Sequence, residues 1–186
     1  MKTTGLRFLA ALCFLAMIFL PDVHADDAST DSGNLLALSD KTDVSSLVDL
    51  ENNAKAALDH SSKNLGLKID FAPSTSYPGV GFKQPAGGRD LSKYHAVETD
   101  VTNVGQRPVN VALRVDNEAD WTKKAWNSEN VMIAPGETKT VHVTFGISFG
   151  QPGYALDPAH VSYISVFAIA PEAAGSIVVK ALRAGY

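Results

Sequence analysis

The chain has 186 residues, with 16 Lys and Arg against 20 Asp and Glu and a formal net charge of −4. That mildly acidic background holds no basic block, which argues against nucleic acid and against anionic membrane surfaces, since both are held by clustered Lys and Arg. The single cysteine, Cys13, lies in the apolar N-terminal run, so the domain that follows has no disulfide framework, thiolate metal site or cysteine nucleophile.

Lys2 and Arg7 precede an unbroken apolar run from Phe8 to Leu20. Pro21 breaks it, and Val23-His24-Ala25 offers a small-residue cleavage site. This is the layout of a secretory signal peptide over residues 1–25, and the run is shorter than the roughly 20 residues that span a bilayer. The mature chain is expected to be secreted or periplasmic, free of the membrane after cleavage. Residues 26–44 are rich in Asp and Ser with one apolar clump at Leu35, Leu36 and Leu38, and read as a flexible leader. Residues 45–186 read as one stand-alone domain.

Within it, Ser45–Glu51 reads as a short strand and Asn52–Asn64 as a connection. From Leu65 onward the period is two. Leu67, Ile69 and Phe71 alternate with polar residues, a short run follows at Val80–Lys83, and Val97, Thr99 and Val101 oppose Glu98, Asp100 and Thr102. Val109, Val111, Leu113 and Val115 form the cleanest half-buried strand. Glu118–Asn130 has little strand pattern and reads as a loop. Pro135-Gly136 occupies the central positions of a type II turn, and Val141–Ile147 alternates again. Val161–Ala170 is apolar on both faces, as a central strand covered on both sides would be. Ile177–Leu182 is the last strand. Short strands separated by Gly, Pro and Asn turns predict an all-β fold, an antiparallel β-sandwich or jelly roll.

The sequence holds no nucleophile-elbow, phosphate-loop or zincin motif. His60, His95, His142 and His160 show no ligand spacing. Glu51 offers one carboxylate of the kind calcium uses, without a matching cluster of oxygen ligands, so neither metal nor cofactor is expected. Glu98 and Asp100 share a strand face and invite a glycosidase reading; a solvated or cross-strand-paired face explains them as well. Groups suited to binding are concentrated elsewhere. Asn110, Arg114 and Asp116 share the polar face of one strand, Asn117 follows, and Trp121 and Trp126 come next. Sugars present C–H faces to indole rings and hydroxyls to planar Arg, Asn and carboxylate groups. Phe149 and Tyr154 lie in a second aromatic loop that can line the same edge. Two readings stay open for these rings and for the Arg114–Asp116 pair: a binding site, or caps and an ion pair that serve the fold.

Five segments, in this order, carry a resemblance: Tyr77-Pro78-Gly79-Val80, Asp90-Leu91-Ser92-Lys93-Tyr94, Asp100-Val101-Thr102-Asn103, Leu113-Arg114-Val115-Asp116-Asn117 and Pro135-Gly136-Glu137-Thr138. Over about Leu47–Arg183 the chain resembles the N-terminal carbohydrate-binding-module-like domain of family-50 glycoside hydrolases, the β-agarases. The resemblance implies a galactose-binding-like jelly roll that contacts galactan-type polysaccharide. It carries no hydrolase activity across, because in that family catalysis belongs to a barrel that this chain lacks. Arg89 stands where the family has an aromatic, and Ala181–Ala184 holds no Asp where the family has one. The expected function is an exported, non-catalytic carbohydrate-binding module taking a polysaccharide or oligosaccharide. The alternative is a structural or interaction sandwich docked on an envelope protein or a separately encoded glycoside hydrolase.

Overall fold

The computed structural model describes residues 33–186. The expected signal peptide and the start of the leader lie outside the described residues. Twelve strands follow one another: β1 (Val48–Glu51), β2 (Lys55–Asp59), β3 (Gly66–Phe71), β4 (Gly79–Phe82), β5 (Ala96–Asn103), β6 (Val109–Asp116), β7 (Trp126–Ile133), β8 (Thr138–Thr144), β9 (Ile147–Ser148), β10 (Gln151–Pro152), β11 (Tyr163–Ala168) and β12 (Gly175–Gly185). They form two five-stranded antiparallel sheets, a front sheet in the order β1-β4-β11-β6-β7 and a back sheet in the order β2-β3-β12-β5-β8; β9 and β10 make a separate hairpin. The chain is therefore an antiparallel jelly-roll sandwich.

Alternation builds the core between the sheets. Val111, Leu113 and Val115 of β6 and Ile164 and Val166 of β11 face Leu67, Ile69, Val97, Val101, Val143 and Ile177 across the interface, all fully buried. Each such side chain contributes roughly 1.5–3 kcal/mol of hydrophobic stabilisation relative to exposure. In β12 the alternation slips. A bulge between Val179 and Ala181 resets the register so that Leu182 and Ala184 turn inward again. The Oγ1 of Thr99, a buried hydroxyl on the core face, donates to the Ala181 carbonyl there at 2.9 Å. The Pro135-Gly136 turn joins β7 to β8, with Gly136 at φ +76, a conformation that favours glycine.

Four expectations need correction. Asn52–Asn64 is not only a connection, because it contains β2. That edge strand pairs with β3 alone and carries few large apolar side chains, so its period is faint. Ser45–Glu51 is strand only from Val48. Before it, Val44–Leu47 forms one helical turn whose first free N–H is taken by the Asp43 side chain. Glu118–Asn130 is not all loop, because β7 begins at Trp126. The leader is docked at its C-terminal end. The Leu35 N–H donates to the Leu182 carbonyl, the Ala184 N–H donates to the Gly33 carbonyl, and Leu36 is buried in the core.

Candidate functional site

Among the described residues no further sheet covers the outer face of the front sheet, and its register aligns the residues that matter. In one row Glu51, Gly79, Phe167, Ala112 and Asn130 lie side by side; in the next come Asp49, Gly81, Ser165, Arg114 and Ser128. The two glycines make space. A Cβ on Gly81 would lie 2.5 Å from the Tyr163 ring, and one on Gly79 would lie 2.3 Å from the Val166 carbonyl and 2.5 Å from Phe167. The aromatic side chains of β11 thus spread over β4. Tyr77, just ahead of β4, meets Phe167 edge-on at 5.7 Å.

Arg114 rises from the middle of this face. Its guanidinium lies 5.3 Å from the centre of the Tyr163 ring, and Nη2 is 3.4 Å from Oδ2 of Asp116. Asp116 is fully buried, and its Oδ1 accepts from the Glu118 N–H at 2.8 Å. The Arg114 Nε and the neighbouring Ser165 Oγ are both buried and have no hydrogen-bond partner among the described residues. Buried polar atoms are nearly always paired, so both retain hydrogen-bonding capacity for solvent or for a bound group. Beyond Gly79, Glu51 is half-buried. Burial raises its carboxyl above the usual range, with the nearby Arg114 pulling the other way and Asp49 adding to the rise.

The segment after β6 carries the tryptophans. Asp120 caps a 3-10 turn over Trp121–Lys123, and Trp121 is 67% exposed. Trp126, at the start of β7, donates from Nε1 to the Trp121 carbonyl at 2.8 Å and packs edge-on against Tyr154 at 5.0 Å. Buried Asn127 holds the β9–β10 region against this corner: its Oδ1 accepts from the Gly146 N–H at 2.7 Å and its Nδ2 donates to the Tyr154 carbonyl at 3.0 Å. Phe149, at the hairpin tip in a left-handed conformation (φ +51), donates its N–H to the Ser128 carbonyl. Together Tyr77, Arg114, Trp121, Trp126, Phe149 and Phe167 enclose a groove of about 460 Å³.

Of the residues singled out in the sequence, Arg114, Trp121, Trp126 and Phe149 meet in this groove. Tyr154 stands behind it, buttressing Trp126. Asp116 lies beneath it, holding Arg114. Asn117 is committed to the fold: its Nδ2 donates to the carbonyls of Asp157 and His160, and its Oδ1 accepts from the Asp157 N–H, each at 2.8 Å. Asn110 lines a neighbouring groove instead. Tyr77, Tyr163, Ser165 and Phe167 were missed. For the three on β11 the signal was in the sequence: Val161–Ala170 is largely apolar on both faces, but its second face is the aromatic platform rather than a surface under another layer. Tyr77, just ahead of β4, gave no such signal.

Glu98 and Asp100 lie on the opposite sheet. Arg183 bridges them at 2.8 and 2.6 Å, His142 pairs with Glu98 at 2.7 Å, and the Thr140 hydroxyl donates to Asp100. Burial would raise the Asp100 carboxyl, but the hydrogen bonds from Arg183 and Thr140 outweigh it and hold it below the usual range. That is a cross-strand ion network, the opposite of the raised carboxyl a general acid needs. Among the described residues no group of three His, Cys, Asp or Glu is placed to hold a metal ion, and no helix is long and apolar enough to cross a membrane.

No protein-family model and no curated protein matches the sequence. Solved structures do. An exo-β-agarase superposes with a TM-score of 0.62 at 16% identity, covering 81% of this chain and 24% of the agarase. A second agarase superposes with a TM-score of 0.60 at 13% identity, covering 82% and 24%. The family 11 carbohydrate-binding module of Clostridium thermocellum, solved with a β-1,3-1,4-mixed-linked tetrasaccharide, gives 0.54 at 18% identity and covers 80% of this chain and 93% of that module. The chain thus spans about a quarter of the length of the agarases, nearly the whole of a binding module, and has the jelly-roll fold that such a module and part of the agarases share.

Proposed function

We propose that this chain is an exported, non-catalytic carbohydrate-binding module that holds a galactan-type polysaccharide on the outer face of its front sheet. The observation that carries this reading is the groove itself. Five aromatic rings and one guanidinium converge on the outer face of the front sheet, and among the described residues the guanidinium's buried Nε and the nearby Ser165 Oγ have no hydrogen-bond partner. Pyranose rings match such a surface. Their C–H faces stack on Trp121, Trp126 or Phe149, and their hydroxyls pair with Arg114 and Ser165. Asp116 serves as the group that positions Arg114.

The likeness to agarases supports the galactan class, and the likeness to a module solved with a tetrasaccharide supports binding without catalysis. The Arg183-bridged state of Glu98 and Asp100 supports the same conclusion. Affinity electrophoresis through gels containing agarose, porphyran, carrageenan, galactomannan or mixed-linkage β-glucan tests it, alongside an assay for reducing-end release. Retardation by a galactan without release of sugar ends is the expected result. Exposed rings also suit a protein partner. Failure to be retarded by any of these polysaccharides would replace the glycan reading with docking on a glycoside hydrolase or an envelope protein.

A further inference from the structure

The groove described above does not end at Phe167. Ile169, just past β11, lines it and also lines a second groove of about 420 Å³ at the adjoining end of the sandwich. Asn110 and Met132, cross-strand neighbours on β6 and β7, contribute to the second groove from the same outward face that carries Arg114 and Trp126. From Trp126 to Met132 along β7, at a rise of about 3.4 Å per residue, this face runs roughly 20 Å. That is long enough for several pyranose rings laid end to end.

The second groove has polar groups without work in the fold. The Asn110 Oδ1 is buried and has no hydrogen-bond partner. Arg107 and Glu172 line the groove and are exposed, and among the described residues their side-chain charged groups are engaged by no ion pair or hydrogen bond; only the Arg107 carbonyl is used, accepting from Asn103 Nδ2 at 2.8 Å. Its wall is preformed. Ala170 is held in a left-handed conformation (φ +40) with its N–H on the Ser76 carbonyl at 2.9 Å, and the Pro171 carbonyl accepts from the Ser74 N–H at 2.9 Å. Met132, 54% exposed, offers an apolar surface for a sugar face.

We infer that one ligand occupies both grooves: a linear polysaccharide held along its interior, stacked on the aromatic groove and hydrogen-bonded beyond it by Asn110 and Arg107. This extension rests on the carbohydrate reading and adds that the site recognises chain length. Isothermal titration with agarose-derived oligosaccharides of two, four, six and eight sugars tests it. Affinity should climb by about tenfold or more once the oligosaccharide outgrows the aromatic groove, the usual scale of hydrogen bonds to a charged group. In the double variant Asn110→Ala/Arg107→Ala that climb should shrink to less than threefold. The melting temperature should hold, because neither removed side-chain group bonds within the fold. An affinity that stops rising at the length that fills the aromatic groove overturns the extension, as does a double variant that keeps the full climb. Absence of binding at every length, with no retardation by any of the polysaccharide gels, sinks the carbohydrate reading together with it.

Discussion

Trp121 and Trp126 are neighbours with different duties, and the difference is measurable. Trp121 is 67% exposed and its ring makes no hydrogen bond among the described residues, whereas Trp126 is half-buried, with its N–H committed to the Trp121 carbonyl and its ring against Tyr154. Trp121→Ala is expected to leave stability within about 0.5 kcal/mol and to weaken glycan binding on the order of thirtyfold, the cost of one lost stacking ring. Trp126→Ala is expected to lose binding and also about 2–3 kcal/mol of stability, because packing and a hydrogen bond go together. Thermal melts and titrations on both variants separate these outcomes; equal early melting with no change in binding would make both rings structural. Glu51 tests the electrostatics of the same face. Its folded-state pKa is raised by burial above about 4.5, so charging it costs stability in the folded chain. The folded state therefore gains stability as pH falls through the raised value towards the ordinary one. Glu51→Gln should raise the melting temperature at pH 7, and the gain should vanish once the pH is below the ordinary value, where wild type is neutral too. A gain that persists there would assign the effect to packing.

Among the elements, β4 sets the shape of the site. Its outward positions, Gly79 and Gly81, are empty so that Phe167 and Tyr163 can spread over it, and Arg114 then sits by the Tyr163 ring. A Cβ on Gly79 meets the backbone of β11, which cannot step aside without breaking the β4–β11 ladder. Gly79→Ala should cost about 3 kcal/mol or more. Gly81→Ala meets only the outer part of a ring and should cost about 1 kcal/mol while displacing Tyr163. A double-mutant cycle checks this by denaturant unfolding: Gly81→Ala should be nearly free of cost in a Tyr163→Ala background. Additive losses would show that the ring is not what occupies the space.

Across the whole molecule the two sheets divide the labour. The back sheet presents Glu98, Asp100, His142 and Arg183 already satisfied by one another, while the front sheet presents aromatic rings and polar atoms without partners. Export belongs to the same scale. The basic start, short apolar run and Val23-His24-Ala25 motivate cleavage after Ala25. Mass spectrometry of periplasmic or secreted protein should find Asp26 at the N-terminus. Recovery of the uncleaved chain alone, in the membrane fraction, would refute this.

The β class, the antiparallel sandwich, the inward faces of β3, β5, β6 and β8 and the Pro-Gly turn were legible in the sequence, because period-two alternation and turn chemistry are local properties. Arg114, Trp121 and Trp126 were legible as a group because they are close in the chain, on a strand and the segment after it. Alternation cannot say which of two apolar faces lies under another layer, so Phe167 and Tyr163 looked like core. Nor does it show that Tyr77 and Phe149 reach the same groove, since that depends on β11 pairing between β4 and β6 and on Asn127 tying down the β9–β10 hairpin. Burial of Asp116 and the binding of Asn117 to the Asp157–His160 turn are likewise decisions of packing. They come from contacts between segments distant in the chain, which a local pattern does not encode.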